Sequence, residues 1–208
     1  MLVCVIDLGV SNIRSLTSAL SFLGVPHKVS SDAAELASAT HVILPGVGAY
    51  DAAMRSMNRL GLACALRDYA LERRLPILGV CLGMQLLFEG SDEGRLSGLS
   101  ITQGHLRLLN VSPGSKVPHV GFSSVYGFEP KGLFAGFRDE SPHFYFTHSY
   151  AMPQVGPQFN IAWCEHSQPF VAAFQVGNIC GAQFHPEKSQ SAGLRLLSNF
   201  VELGHAVT

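Results

Sequence analysis

Apolar and polar positions follow two different periods along this chain, and the change from one to the other divides it. In the first half, short unbroken apolar runs recur at Val3 to Leu8, His41 to Leu44 and Ile77 to Val80, as in strands buried on both faces. Between them the apolar residues fall at helical spacing. Ile13, Leu16, Leu20 and Leu23 share one face over Asn12 to Leu23, with Gly24 as the stop, and further helical runs cover Tyr50 to Leu60 and Ala63 to Arg73. Val25 to Ser30 reads as another strand, and Asp32-Ala33-Ala34-Glu35 as a capping box opening a short helix. Strands alternating with helices predict an α/β fold: a mostly parallel central sheet with right-handed crossovers and helices on both faces. Ligands of such sheets bind at the carboxyl ends of the strands, where Pro45-Gly46-Val47-Gly48 and Cys81 fall.

Beyond Phe88 the period becomes two. Glu89 to Gly98 is polar, and strand-like segments follow at Gly104 to Leu109, Ser124 to Phe128, Phe144 to Tyr150, Asn160 to Glu165, Phe170 to Val176 and Asn178 to Phe184. Gly177-Asn178 reads as a hairpin turn, and the group as a small antiparallel or mixed sheet inserted on the parallel core. Ser189 to Leu203 closes the chain as a helix with Leu194, Leu197, Phe200 and Val201 inward. At 208 residues, 47% of them apolar and without repeats, the chain reads as a single domain over 1–208.

A formal charge of −1 with no basic run leaves no footprint for nucleic acid or an anionic membrane. No apolar stretch approaches the roughly 20 residues that cross a bilayer, and the start Met1-Leu2-Val3-Cys4 lacks the basic segment of a signal peptide, so a cytoplasmic protein is expected. The five cysteines, Cys4, Cys64, Cys81, Cys164 and Cys180, contain no C-x-x-C, which predicts neither a disulfide framework nor a zinc site. All but Cys81 fall in apolar patterns and are expected in the core. His105, His119, His143 and His166 show no metal-ligand spacing, so no metal is expected.

Cys81 stands where the Ile77–Val80 strand runs into an apolar helical cluster, Met84 to Phe88. Gly79 and Gly83 flank it in a G-x-C-x-G pattern, the thiol counterpart of the G-x-S-x-G nucleophile elbow. The glycines are expected to relieve a tight turn and to keep a substrate's approach to the sulfur clear. A helix N-terminus favours thiolate over thiol, and the Leu82 N–H is placed to bind an oxyanion. Most free cysteines are simply small buried hydrophobes. What distinguishes this one is a second site, Phe184-His185-Pro186-Glu187, at the end of another predicted strand. A thiol nucleophile needs a base, for which histidine is tuned near neutral pH, and a carboxylate two residues on can fix the imidazole tautomer. Cys81, His185 and Glu187 are therefore predicted to form a catalytic triad.

Gly79-Val80-Cys81-Leu82-Gly83-Met84-Gln85 together with Phe184-His185-Pro186-Glu187 resembles the class I glutamine amidotransferases, whose glutaminase domains release ammonia from glutamine. Asn12-Ile13-Arg14-Ser15, Pro45-Gly46-Val47-Gly48, Lys116-Val117-Pro118-His119 and His185 to Gln190 extend the likeness over essentially the whole chain. Within that family it is nearest to glutaminase subunits that serve a cyclase of histidine biosynthesis. The resemblance implies a flavodoxin-like glutaminase fold and hydrolysis of L-glutamine to glutamate and ammonia through a Cys81 thioester. It implies an oxyanion hole from Val47 and Leu82, and a glutamine pocket lined by Gly48, Gln85, His148 and Ser149. It also implies no cofactor, and a heterodimer with a synthase or cyclase subunit of (βα)8-barrel type that consumes the ammonia.

Taken alone, Gly46-Val47-Gly48 also suits a phosphate cradle, although Asp51 stands where a dinucleotide fingerprint has its third glycine. His148 and Ser149 are otherwise ordinary strand-end polar residues. The chain departs from the family at Gly121-Phe122-Ser123, where Gly-Trp-Asn is usual, and at Ser11, where glycine is usual. Both departures fall where the family meets its partner. They leave open a relative that aminates surface-sugar precursors. A non-catalytic regulatory subunit would keep the fold and a cysteine peptidase the thiol; release of ammonia from glutamine separates these readings.

Overall fold

The computed structural model of the chain describes residues 1–9, 13–110, 116–137 and 141–204. Its elements in order are β1 (Val3–Ile6), α1 (Ile13–Phe22), β2 (His27–Ser30), β3 (His41–Gly46), α2 (Tyr50–Arg59), α3 (Leu62–Arg67), β4 (Ile77–Cys81), α4 (Leu82–Leu86), β5 (Gly90–Ser91), β6 (His105–Leu108), β7 (His119–Ser124), β8 (His143–His148), β9 (Tyr150–Ala151), β10 (Asn160–His166), β11 (Gln168–Val176), β12 (Ile179–Ala182) and α5 (Gln190–Glu202). Seven strands form the main sheet in the order β10-β11-β12-β4-β3-β1-β2. From β12 to β2 every neighbouring pair is parallel, whereas β10 and β11 are antiparallel. Burial on both faces of β1 follows its pleat: Val3 and Val5 join one apolar cluster, Cys4 and Ile6 the other. Leu16 and Leu20 of α1 and Leu197 and Phe200 of α5 fill the first, and Met54 and Met57 of α2 with Leu62 and Leu66 of α3 fill the second. Burying each such side chain contributes roughly 2 kcal/mol.

The expected α/β class is therefore the observed one, with helices on both faces of a mostly parallel sheet and small mixed and antiparallel sheets beside it, but the second half differs in detail. The β10 and β11 strands are not an insertion; they extend the main sheet beyond β12, which itself pairs in parallel with β4. Two small sheets, β5-β6-β9 and β7-β8, stand apart from it. The strand expected over Ser124 to Phe128 lies earlier, at His119–Ser124, and Tyr126 contributes only an isolated bridge to Trp163. That strand escapes a hydrophobic alternation test because its pattern is inverted. His119 is buried, while Val120 and Phe122 are 57% and 51% exposed.

Smaller differences have local causes. Asp32 caps its short helix by accepting from the Ala34 N–H, but Glu35 does not reach back; it pairs with Lys28 instead. The helix expected over Ala63 to Arg73 breaks at Asp68 into a π turn over Asp68–Glu72. Cys64 on α3 is exposed, whereas Cys4, Cys164 and Cys180 are buried as expected. Asn12 and Ser11 lie outside the described residues.

The helix after β4 begins immediately at Leu82 and lasts five residues, and the glycines around it serve packing. A Cβ at Gly83 would stand 1.7 Å from the Leu44 carbonyl oxygen of β3, and one at Gly79 would stand 2.6 Å from backbone atoms of Gly83 and Met84. Gly79 and Gly83 thus let α4 lie directly on the strands, which corrects the expectation that they clear a path for substrate. Gly83→Ala should cost about 3 kcal/mol or more in a urea unfolding titration, at the upper end of overpacking penalties because the obstacle is backbone. An unchanged midpoint would mean that α4 can shift away from β3.

Candidate active site

Cys81 ends β4 with φ 53° and ψ −112°, a left-handed conformation that costs a non-glycine residue about 1–3 kcal/mol. Hydrogen bonding along β4 on one side and the start of α4 on the other impose it. Leu82 is the first residue of α4, so its N–H has no acceptor within the helix. With five residues the helix carries only a small dipole, and local N–H groups matter more than the macrodipole invoked from the sequence.

A cavity of about 360 Å³ opens over the sulfur, lined by Val47, Gly48, Cys81, Leu82, Gln85, Glu93, Thr147, His148, Ser149, Tyr150 and His185. Eight of the nine site residues expected from the sequence meet there. The ninth, Glu187, stands behind His185 and lines a small adjoining space with Val80 and Lys188.

His185 follows β12 and is 3% exposed. Its backbone is clamped: its N–H donates to the Tyr145 carbonyl at 2.9 Å, and its own carbonyl accepts from Ser189 Oγ at 2.6 Å. Ser189 Oγ in turn accepts from the Tyr145 N–H at 3.0 Å. The ring turns Nδ1 to Glu187 Oε1 at 2.8 Å. Burial opposes a charge on this ring, but Cys81 and Glu187 outweigh it and raise the pKa to about 9, so the imidazole is protonated at neutral pH. Nε2, although under the influence of the sulfur, makes no formed hydrogen bond. The thiol donates instead to the Thr147 carbonyl at 3.8 Å.

The other histidine in the cavity wall has the opposite character. Burial, its largest cause, lowers the His148 pKa to about 3, and that of His119 to about 4. Both nitrogens of His148 are engaged, Nδ1 with the Tyr150 carbonyl at 2.9 Å and Nε2 with His119 Nδ1 at 3.2 Å. His119 Nε2 lies 2.9 Å from Ser123 Oγ. A carbonyl can only accept, so with both rings neutral the protons sit on His148 Nδ1 and His119 Nδ1, and the Ser123 O–H donates. Gln85 is likewise committed, donating to the Tyr150 carbonyl at 3.0 Å and to Gln183 Oε1 at 3.1 Å. His148 and Gln85 therefore shape the cavity wall through these internal hydrogen bonds.

Reading the sequence missed Glu93, Thr147, Tyr150, Gln183 and Ser189. Thr147 and Tyr150 act through backbone carbonyls, which leave no mark in a sequence. Gln183 did leave one, as a polar residue inside an apolar run. Glu93 accepts from the Tyr50 N–H at 3.2 Å, and burial raises its pKa. Its carboxylate in the cavity, with Asp51 holding the Arg95 and Leu96 N–H groups close by, makes Gly46-Val47-Gly48 a poor phosphate cradle. Among the described residues, no group of three or more His, Cys, Asp or Glu side chains is arranged to hold a metal ion, and no helix is long and apolar enough to cross a membrane.

A parallel α/β sheet with a cysteine at a strand-to-helix elbow, at the carboxyl end of a central strand, places the chain in the class of nucleophile-elbow α/β proteins. Comparison with known proteins makes this specific. Residues 4–203 match the family Glutamine amidotransferase class-I. The chain is 42% identical over 202 residues to "Imidazole glycerol phosphate synthase subunit HisH" of Moorella thermoacetica, covering 97% of this chain and 94% of that protein. It is also 42% identical over 204 residues to the protein of the same name from Xylella fastidiosa, covering 98% of each. A solved structure described as a glutamine amidotransferase superposes with a TM-score of 0.75 over 97% of both chains at 20% identity. A putative GMP synthase protein from Thermoplasma acidophilum gives 0.72 at 22% identity, over 97% of this chain and 92% of that one. The chain belongs to the class I glutamine amidotransferase family.

The two classes of imidazole predict two limbs of a stability profile. For His185, raised above its unfolded value near 6.5, the contribution is complete below that value and is lost as pH rises through about 9. For His148 and His119 the folded values are lowered, so stability falls as pH drops from 6.5 toward about 4, by up to about 1.4 kcal/mol per pH unit for each ring. Urea titrations across pH should show both limbs. Glu187→Gln should bring the alkaline one down toward neutrality, and an NMR titration placing His185 near 6.5 in the native protein would refute the assignment.

Proposed function

We propose that the protein is a glutaminase subunit, a single amidotransferase domain over 1–208, which hydrolyses L-glutamine to glutamate and ammonia through a Cys81 thioester. The observation that carries this reading is the convergence of the elbow cysteine and the buried His185–Glu187 pair on one cavity. In the first half-reaction the Cys81 sulfur attacks the substrate carboxamide carbon as His185 holds the proton. The N–H groups of Val47 and Leu82 receive the oxyanion. Collapse of the tetrahedral adduct breaks the C–N bond, with the proton passing from His185 to the departing nitrogen as ammonia. A water molecule that gives its proton to His185 then attacks the thioester, releasing glutamate and the thiol. Glu187 keeps the imidazole oriented and stabilises its charge throughout.

The rest of the cavity suits an α-amino acid. Glu93 supplies a carboxylate for the substrate ammonium, Ser149 adds polar lining, and Gly48 gives the backbone room to approach.

Ammonia is largely protonated in neutral water and loses its nucleophilicity there, so a subunit of this kind delivers it directly to a partner. The names of its relatives support imidazole glycerol phosphate synthase as the enzyme it serves; the partner implied by the family resemblance is a cyclase subunit of (βα)8-barrel type, in a cytoplasmic heterodimer of histidine biosynthesis. The exposed apolar side chains of Val120 and Phe122 on β7 suit such a contact.

Cys81→Ala should fold yet release no ammonia, and an electrophilic glutamine analogue should label Cys81 alone among the five cysteines by mass spectrometry. His185→Ala should approach the same floor, with Glu187→Gln remaining about 10- to 100-fold above it. Ammonia release by Cys81→Ala at the native rate would end this reading. Glu93→Gln should raise KM for glutamine by about 10-fold or more while changing kcat little. An unchanged KM would remove Glu93 from substrate recognition.

A further inference from the structure

Gln183 has no part in the triad, yet it touches the nucleophile. It is fully buried, two residues before His185, and its N–H donates to the Ala172 carbonyl at 2.8 Å. Its side-chain Nε2 lies 3.8 Å from Cys81 Sγ in donating geometry. A carboxamide can present either end to a neighbour, and here its surroundings decide which. The Tyr150 carbonyl, which can only accept, takes one hydrogen of the Gln85 NH2 group at 3.0 Å. The other hydrogen goes to Gln183 Oε1 at 3.1 Å, which leaves the Gln183 NH2 group facing the sulfur. The same Tyr150 carbonyl also accepts from His148 Nδ1–H, and behind it His119 donates to His148 and Ser123 to His119. Every member of this chain from Ser123 to Sγ is thereby fixed in direction by one backbone oxygen.

We propose that Gln183 is an N–H donor to the Cys81 sulfur that favours thiolate over thiol, and that Gln85 is a positioning residue that keeps this donor turned toward it. The inference rests on Cys81 being the nucleophile. An amide reversed by one flip would put Oε1 against the sulfur and penalise the thiolate, so the polarity of the network has a chemical consequence. It also answers a local problem. The Thr147 carbonyl, at 3.8 Å from the sulfur, favours the thiol and must be countered when the proton leaves. The titratable groups around Sγ are His185 backed by Glu187 after β12, His148 backed by His119 from β8 and β7 with His166 of β10 stacked on His119, Tyr150 of β9, and Glu93 from the segment after β5.

The test reads ionisation of Cys81 without substrate, so it is separate from the test of glutaminase activity. The rate of Cys81 alkylation by iodoacetamide is followed by mass spectrometry from pH 5 to 10 in the native chain, Gln183→Leu and Gln183→Met, with folding checked by circular dichroism. Loss of one hydrogen bond to a charged group should move the midpoint up by about one pH unit, and lower kcat about 10-fold with KM for glutamine little changed. An unmoved midpoint in a folded variant overturns the proposal. If neither variant folds, the native protein labelled with 15N-glutamine decides. One side-chain amide pair should shift with the midpoint seen in alkylation, and no pair should do so in Cys81→Ala. Absence of such a pair in the native protein also overturns it.

Discussion

The approach of α4 to β3 and β4 sets the conformation of Cys81, and with it the position of every group that meets the sulfur. Gly83 lies where any Cβ would overlap the Leu44 carbonyl, and Gly79 where one would overlap the first turn of α4. A Cβ at Gly46 would come within 2.9 Å of the Gly83 nitrogen and of Leu82, and one at Gly181 within 2.8 Å of Met84. These glycines from three adjacent strands and the helix permit a separation at which the chain must turn abruptly after β4. The strained φ of Cys81 is the result. The sulfur stands between the loop after β3 and the residues after β12, so Val47 and His185 reach it from the two strands adjacent to β4, while Leu82 follows it directly in the chain.

Two kinds of buried imidazole then divide the work. His185 faces a carboxylate and a thiol, and these overcome the cost of burying its charge; His148 faces a carbonyl and another imidazole, neither of which offsets burial. The difference lies in partners, since both rings are nearly inaccessible. One ring carries its proton at neutral pH. The other stays neutral there and serves as a fixed strut whose tautomer is set by the Tyr150 carbonyl.

The β7 strand joins these features to the surface. Its inner residues, His119 and Ser123, belong to the polar chain that ends at the Cys81 sulfur, and its outer residues, Val120 and Phe122, present apolar side chains to solvent. Ser123 occupies one of the positions where the sequence departs from its family's usual pattern, and its hydroxyl makes the terminal hydrogen bond of that chain. The departure has therefore been accommodated within a satisfied network.

The sequence by itself determined the α/β class, the βα units of the first half and the residues that gather at the carboxyl ends of the strands. These are legible because fully buried strands and one-sided helices impose periods on hydrophobicity, and because Gly79-Val80-Cys81-Leu82-Gly83 and His185-Pro186-Glu187 are local patterns with a chemical reason. Only the tertiary structure decided that β10 and β11 extend the main sheet, since strand order depends on contacts between distant segments that no local period encodes. It alone placed β7, whose inner face is polar and whose outer face is apolar, against the rule that alternation tests assume. It alone brought in Glu93, Gln183 and Ser189 and the carbonyls of Thr147 and Tyr150, because a hydrogen bond to a backbone oxygen or across a sheet is a property of position in space. The protonation states followed the same division: histidine identity is in the sequence, but burial and the choice of partner fix whether a given ring carries its proton.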